Sequence, residues 1–356
     1  LKNIILNDVS LYQETFQRLQ ASNEILTSIN PILVFSHFSL HPHESANVIP
    51  ARNRHIPTIT TDHGISGFWA AEYDSFSAEN VFIGGEVMRK AYKISQNYKD
   101  RQIHTTGNPR ADLIKRKLTK TEARSSHGLP LNKKIVIFCD NSGWLQSAEC
   151  QYGSYSTLKE AIALAKKIQN SFLIFRVHHG RDYKEIEKYV HSLKLDNFLF
   201  QVSPNPEFVN IAQAADVVIS HKTSAIGESL LIGCPVVYLH EGADIIDWSY
   251  KSISTISFAS TFSEAKEQAE RFIALEMSPT QCLEQSSPYL NYALSFFGQP
   301  AASNYVEHIK KILANKHDIL EIQEWFNRTK YASQFDSTKW SEHIKDYEAE
   351  AQRIQS

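Results

Sequence analysis

Four short runs in the early part of the chain read as strands: Ile32–Phe35, Thr58–Thr61, Val81–Ile83 and Gln102–Thr105. A polar loop and a helical stretch over Glu44–Arg52 separate the first two. Pro57 precedes the second run, and Gly64, Gly84 and Gly107 follow three of the four. Strands closed by glycine at their carboxyl ends, with helices between them, predict parallel βαβ units.

Lys115–Asn132 is polar and charged, with a Gly-Leu-Pro turn at Gly128–Pro130, and reads as a linker. A second series begins at Lys134–Cys139 (KIVIFC), a run with no polar face that suits the middle of a parallel sheet. Phe172–Val177, Phe198–Gln201, Val217–Ser220 and Val236–Leu239 continue it as strands. Helices are predicted over Thr157–Gln169, Asp182–Leu193, Glu207–Ala214 and Ser224–Ile232. In the first of these, Leu158, Ile162, Ala165 and Ile168 recur at helical spacing. Strict alternation predicts a doubly wound sheet. From Tyr305 to Ser356 the chain is polar and helical with no strand, and Asp318–Phe326 carries Ile319, Ile322 and Phe326 on one face, as a packed surface helix would. The expected organisation is an N-terminal Rossmann-like domain over 1–120, a second over 133–300 and a helical tail over 301–356. The first domain is short and opens on Leu1, so it is expected to be incomplete, its first strands either upstream of Leu1 or absent.

Composition narrows the class. The chain has 356 residues, 42% hydrophobic and 21% charged, enough for two soluble domains. A net charge of −2 supplies no global basic field, so a nucleic-acid partner is not expected. Cys139, Cys150, Cys234 and Cys282 form no CxxC pair, which argues against a zinc knuckle or a disulfide framework. Cys139 and Cys234 sit in apolar runs and read as buried thiols. No apolar stretch approaches the ~20 residues that span a bilayer, and no signal peptide is visible. A cytoplasmic protein is expected, with any membrane contact peripheral, at the inner membrane.

Ligands of open α/β sheets bind outside the carboxyl ends of the strands, and four such ends are chemically unusual. Thr60-Thr61-Asp62-His63-Gly64 sets an acid beside an imidazole; either Asp62 or His63 is a candidate general base. Thr106-Gly107-Asn108-Pro109-Arg110 is a tightly specified turn whose Arg110 suits a phosphate, or a structural turn between domains. Arg176-Val177-His178-His179-Gly180-Arg181 crowds two arginines and two histidines at one strand end, a pattern suited to a pyrophosphate. Adjacent histidines also ligate metals, but no partner apart from Asp182 follows at ligand spacing, so no metal is expected. In Ser220-His221-Lys222-Thr223-Ser224, hydroxyls open a helix whose first amides favour an anion, and Glu228 falls where it would accept from ribose hydroxyls. The loop Asp140-Asn141-Ser142-Gly143 is a weaker phosphate candidate; neither GxGxxG nor a P-loop is present.

These four stations, in this order, resemble the GT-B glycosyltransferases of bacterial surface-polysaccharide assembly, with the capsule and lipopolysaccharide transferases and the CDP-glycerol glycerophosphotransferases nearest. The resemblance rests on Pro57-Thr58 through His63-Gly64 and on Gly107 to Asp112 as Gly-Asn-Pro-Arg-x-Asp. It rests further on Arg176-Val177-His178-His179, with His179 where the family has proline, on Ser220 through Val237, and on Gly298-Gln299-Pro300-Ala301. It implies an α/β GT-B fold, two Rossmann-like domains facing a cleft, with a helical C-terminal tail. It implies a metal-independent, cofactor-free transfer of sugar from a UDP-, CMP- or CDP-linked donor to a glycan or lipid-linked acceptor. The donor would lie on Arg176, His178, His179, Ser220, Thr223, Ser224, Glu228, Ser142 and Gly143. Asp62 and His63 would be catalytic, and Gly107, Asn108 and Arg110 would serve phosphate between the domains. A nucleotide-sugar 2-epimerase, a CDP-glycerol-type glycerophosphotransferase and a non-catalytic scaffold are the alternatives.

Overall fold

The computed structural model describes residues 17–37, 42–62, 64, 78–95, 98–140, 148–177, 183–203, 207–221, 223–240, 253–295 and 298–315. By contact the chain forms two units, residues 1–112 with 291–356 and residues 113–290. Each is built on a parallel sheet, as the expected fold class requires.

Unit 1 carries β1 (Val34–His37), β2 (Thr58–Thr61), β3 (Asn80–Ile83) and β4 (Ile103–Thr105), which pair in sequence order. Helix α1 covers residues 17–29, followed by α2 (Pro42–Asn53), α3 (Glu86–Ser95) and α4 (Pro109–Leu113). Strand β2 is buried throughout although three of its four residues are threonines. Its polar groups find partners: the Glu79 carboxylate accepts from the Thr58 amide at 2.8 Å and from the Thr58 hydroxyl at 2.6 Å.

Unit 2 carries β5 (Lys134–Asp140), β6 (Ser171–Val177), β7 (Phe198–Val202), β8 (Val217–Ser220), β9 (Val236–Leu239) and β10 (Ile256–Ala259), in the spatial order β10-β9-β8-β5-β6-β7. The chain therefore builds outward from β5 on one side, then crosses back to build outward on the other. Its helices are α5 (Lys120–Ser126), α6 (Ala148–Lys167), α7 (Lys184–Ser192), α8 (Phe208–Ala212), α9 (Ala225–Leu231) and α10 (Phe262–Leu275). Val136 and Phe138 on β5, Leu173, Phe175 and Val177 on β6, and Val217 and Ile219 on β8 share one core with Leu158 and Ala165 of α6 and Ala269 and Phe272 of α10. The alternate residues of each strand turn to the opposite face.

Two sequence expectations are corrected here. The second sheet does not end at Leu239, because β10 and α10 extend it. The residues read as a linker contain α5 and are tied down on unit 2. Arg116 donates to the carbonyls of Ile232 at 2.9 Å and Gln213 at 3.0 Å, and Arg124 pairs with Asp216 at 2.6 Å. Gln213 Oε1 accepts from the Lys117 and Leu118 amides. Polar residues that suggested solvent instead satisfy backbone groups at the amino edge of the sheet. The thiols of Cys139, Cys234 and Cys282 are buried, and desolvation pushes each up to about 12.

Helix α11 (Pro279–Leu294) contains the boundary between the units, and α12 (Ala301–Ala314) packs in unit 1, with Ile312 against Ile59 and Phe82. Residues Asp318–Phe326, expected as an amphipathic helix, lie outside the described residues. Among the described residues no helix is long and apolar enough to cross a membrane.

Gly233, in the turn between α9 and β9, is glycine for two reasons. Its φ is +71°, and a Cβ there would stand 2.1 Å from the Pro279 carbonyl oxygen at the start of α11. Gly233→Ala is expected to cost about 3 kcal/mol or more, read as a lowered midpoint in chemical denaturation. His104 on β4 supplies a pH test. Its Nε2 lies 3.0 Å from Asn80 Oδ1, and burial pushes its pKa down to about 3. A histidine held neutral in the fold titrates in the unfolded chain near 6.5. Stability is therefore full above that value and falls as pH drops from about 6.5 toward about 3. Tm followed from pH 7.5 to 4.5 should decline, and His104→Asn should flatten the decline.

Candidate functional site

Parallel register brings the last residues of neighbouring strands to the carboxyl edge of unit 2. Cys139 is the partner of both Arg176 and Ser220; Arg176 pairs in turn with Gln201, and Ser220 with Tyr238. Partners in a parallel ladder share a face, so Arg176, Cys139 and Ser220 form one row. Arg176 is 5% exposed and stands 6.0 Å over the Phe208 ring of α8. Gln201 Oε1 and Ser203 Oγ accept from its guanidinium at 3.4 Å, long bonds that orient the fork and do not neutralise it. Burial lowers its pKa, while Cys139 and Glu228 act in the opposite sense.

Glu228 lies in the first turn of α9, whose seven residues are all buried, and its charge is felt at Arg176. A guanidinium buried at a strand edge is a costly arrangement that an anionic ligand would relieve. Ser220 donates to the His221 carbonyl at 2.8 Å, and Thr223 Oγ1 accepts from the Ala225 amide at 3.0 Å. Ser224 occupies the N-cap with helical backbone angles and no side-chain cap bond. Of the expected donor residues, Arg176 and Ser220 share one row, with Thr223 and Ser224 on the turn that follows and Glu228 in the first turn of α9. His178, His179, Ser142 and Gly143 lie outside the described residues.

Asp62 follows the last residue of β2 in unit 1 and is 4% exposed. The Gly84 amide donates to its Oδ2 at 2.9 Å, fixing the carboxylate against the carboxyl end of β3. Gly85 must also be small, since a Cβ there would stand 2.4 Å from the Ala293 carbonyl of α11. His63 lies outside the described residues. Asn108 donates to the Gly64 carbonyl at 2.6 Å, which joins the β2 and β4 loops, and its Oδ1 accepts from the Arg110 amide at 2.9 Å. Gly107 has φ +79°, and Arg110 is exposed. The same element anchors α12: Asp112 Oδ2 accepts from the Ala301 amide at 2.6 Å, and the Thr106 carbonyl accepts from Asn304 at 3.2 Å. Tyr305 of α12 packs on Phe82 at 4.9 Å, and burial followed by the nearby Asp62 charge raises its pKa.

Sequence reasoning missed one close pair. Asp140, the last residue of β5, has its Oδ1 3.3 Å from Nδ1 of His221, the residue after β8, and both are buried. The pair is formed by register across the sheet, which local spacing in the sequence does not reveal.

Two parallel α/β units of this kind define the fold class, and comparison with known proteins adds to it. Residues 67–241 match the family model of CDP-Glycerol:Poly(glycerophosphate) glycerophosphotransferase, a span from the β3 region in unit 1 to the end of β9 in unit 2. No curated protein sequence matches the chain. Among solved structures the chain is similar to S. aureus MnaA with UDP, at 13% identity and TM-score 0.60, over 84% of this chain and 79% of that one. It is similar to UDP-GlcNAc 2-epimerase of Neisseria meningitidis bound to UDP-GlcNAc, at 16% identity and TM-score 0.59, over 83% and 81%. It is also similar to a glycosyltransferase from Rickettsia africae, at 13% identity and TM-score 0.52, over 86% and 81%. These likenesses show the fold, the one shared by GT-B glycosyltransferases and nucleotide-sugar epimerases.

The anchoring of α12 is directly testable. Asp112→Ala strips a carboxylate from the first amide of a 14-residue helix and should cost about 0.5–2 kcal/mol. Thermal melts should show the loss, and Asp112→Asn, which keeps an acceptor, should recover most of it.

Proposed function

We propose that the chain is a transferase that takes a group from a nucleotide-activated donor, and specifically a glycosyltransferase acting on a glycan or lipid-linked acceptor in bacterial surface-polysaccharide synthesis. The observation that carries the reading is the buried row of Arg176 and Ser220 at the carboxyl edge of unit 2, followed by the buried Glu228 in the first turn of α9. The guanidinium fork matches phosphate oxygens, and a buried carboxylate matches the paired hydroxyls of a ribose. The glycosyltransferase-type fold and the family match over residues 67–241 support the same reading.

In this mechanism the donor's phosphates lie on Arg176 and on the basic run that continues through His178 and His179. The ribose bonds to Glu228, and the turn at Thr223–Ser224 offers hydroxyls and amides to the remaining oxygens. Fixed positive groups stabilise the departing phosphate as its charge develops, a role that side chains fill here in place of a metal ion. Asp62, held by the Gly84 amide, removes the proton from the acceptor hydroxyl, with His63 beside it. Arg110 and the Gly107–Asn108 turn serve phosphate from the unit 1 side. UDP-, CMP- and CDP-linked donors all suit the row, and a lipid-linked acceptor would bring the protein to the inner membrane surface from the cytoplasm.

A second reading, transfer of glycerol phosphate from a CDP-linked donor, is favoured by the family match. The two differ in the atom attacked, sugar carbon one or phosphorus, and share the nucleotide site.

Thermal-shift measurements with UDP, CMP, CDP and GDP should single out one nucleotide. Binding to the folded chain adds about 2.7 kcal/mol at a hundredfold excess over Kd, and no shift with any of them would contradict the reading. Once the donor is known, Asp62→Asn should lower kcat by about 10²–10⁴. The amide keeps an oxygen for Gly84, so the fold and the nucleotide shift should persist; full activity would remove Asp62 from the mechanism. Nucleotide-sugar conversion without acceptor would instead mark an epimerase.

A further inference from the structure

The spatial order β10-β9-β8-β5-β6-β7 reverses direction between β5 and β8. At such a switch point the connections leave in opposite directions and open a crevice at the carboxyl edge. Asp140 ends β5 and His221 follows the last residue of β8, so the two stand on either side of that crevice. Their register explains the meeting: Cys139 pairs with Ser220, which makes Asp140 and His221 the next position on both strands, on the same face. Contacts with β5 hold His221. Its Nδ1 lies 3.3 Å from Asp140 Oδ1, its ring meets Phe138 edge-on at 5.4 Å, and its amide donates to the Cys139 carbonyl at 3.3 Å. Its side chain is 10% exposed and that of Asp140 is 1% exposed, so the carboxylate lies deeper than the ring.

We propose that Asp140 and His221 form a phosphate subsite for the nucleotide, in which Asp140 positions and charges the imidazole and His221 Nε2 donates to a phosphate oxygen. This rests on the nucleotide-donor reading of unit 2. A lone carboxylate at this crevice would repel phosphate. With both ring nitrogens protonated, Nδ1 faces Asp140, which balances the charge, and Nε2 is a donor. The row of Arg176, Cys139 and Ser220 occupies the alternate face of the same edge, so a nucleotide seated over the switch point meets polar groups from both sides. Asp140 acts through His221 and is a positioning residue.

The test is calorimetric binding of UDP, CDP, CMP and GDP, each beside its parent nucleoside, to wild type, His221→Asn, Asp140→Asn and the double variant. The double variant keeps two amides in place of the pair and guards against an unpaired buried charge. The expected result is a nucleotide affinity reduced about ten- to hundredfold in each variant, with nucleoside affinity unchanged and the double variant no weaker than His221→Asn. Wild-type nucleotide affinity in folded His221→Asn or in the double variant would overturn the subsite and leave the nucleotide reading standing. Nucleoside and nucleotide affinity falling together would also overturn it, marking the pair as a support of the fold. Wild type that binds none of the four would overturn both.

Discussion

Strand β5 is paired on both sides, by β6 over its whole length and by β8 over its carboxyl half. That double pairing is the constraint on which unit 2 depends. A strand hydrogen-bonded along both edges and covered on both faces cannot carry a polar residue along its length, and KIVIFC carries none between Lys134 and Asp140. The polar residues are pushed to its end. Because β6 and β8 take their register from β5, the polar residues that end them arrive at the same level. Arg176, Ser220, Asp140 and His221 are neighbours for that reason.

Burial then sets the chemistry. Among the described residues Arg176 has only long bonds to Gln201 and Ser203, and Glu228 is buried in the helix that follows β8, so the edge holds charge in a poorly solvated place. Sites that bind phosphate and ribose have this character: the protein bears the desolvation in advance, and the ligand completes the bonds. In unit 1 the corresponding constraint is the close approach of α11 to Gly85, which keeps the carboxyl end of β3 tight and leaves the Gly84 amide aimed at Asp62.

Much of the framework was legible in the sequence because short β-branched runs bounded by proline, glycine or polar residues have few alternatives. Thr58–Thr61, Val217–Ser220 and Val236–Leu239 form strands with the expected limits. β10 was not legible: Ile256–Ala259 is short, contains Ser257, and follows a polar stretch. The docking of Arg116 and Arg124 was hidden for a related reason, since charged residues that cap loops look the same in sequence as charged residues in water. The individual site residues were visible as strand-end oddities, but their partnerships were not. Asp62 with Gly84, Asp112 with Ala301, and Asp140 with His221 are each created by tertiary register that no local pattern encodes.

The central claim is that a nucleotide seats on the carboxyl edge of the six-stranded sheet, over Arg176 and the start of α9. Amide hydrogen exchange with and without saturating nucleotide tests it most directly. The account predicts slowed exchange in peptides ending β5, β6 and β8 and in the turn leading to Glu228, with the amino edge near Arg116 and Gln213 unchanged. Protection confined to the amino edge, or to unit 1 alone, would contradict it.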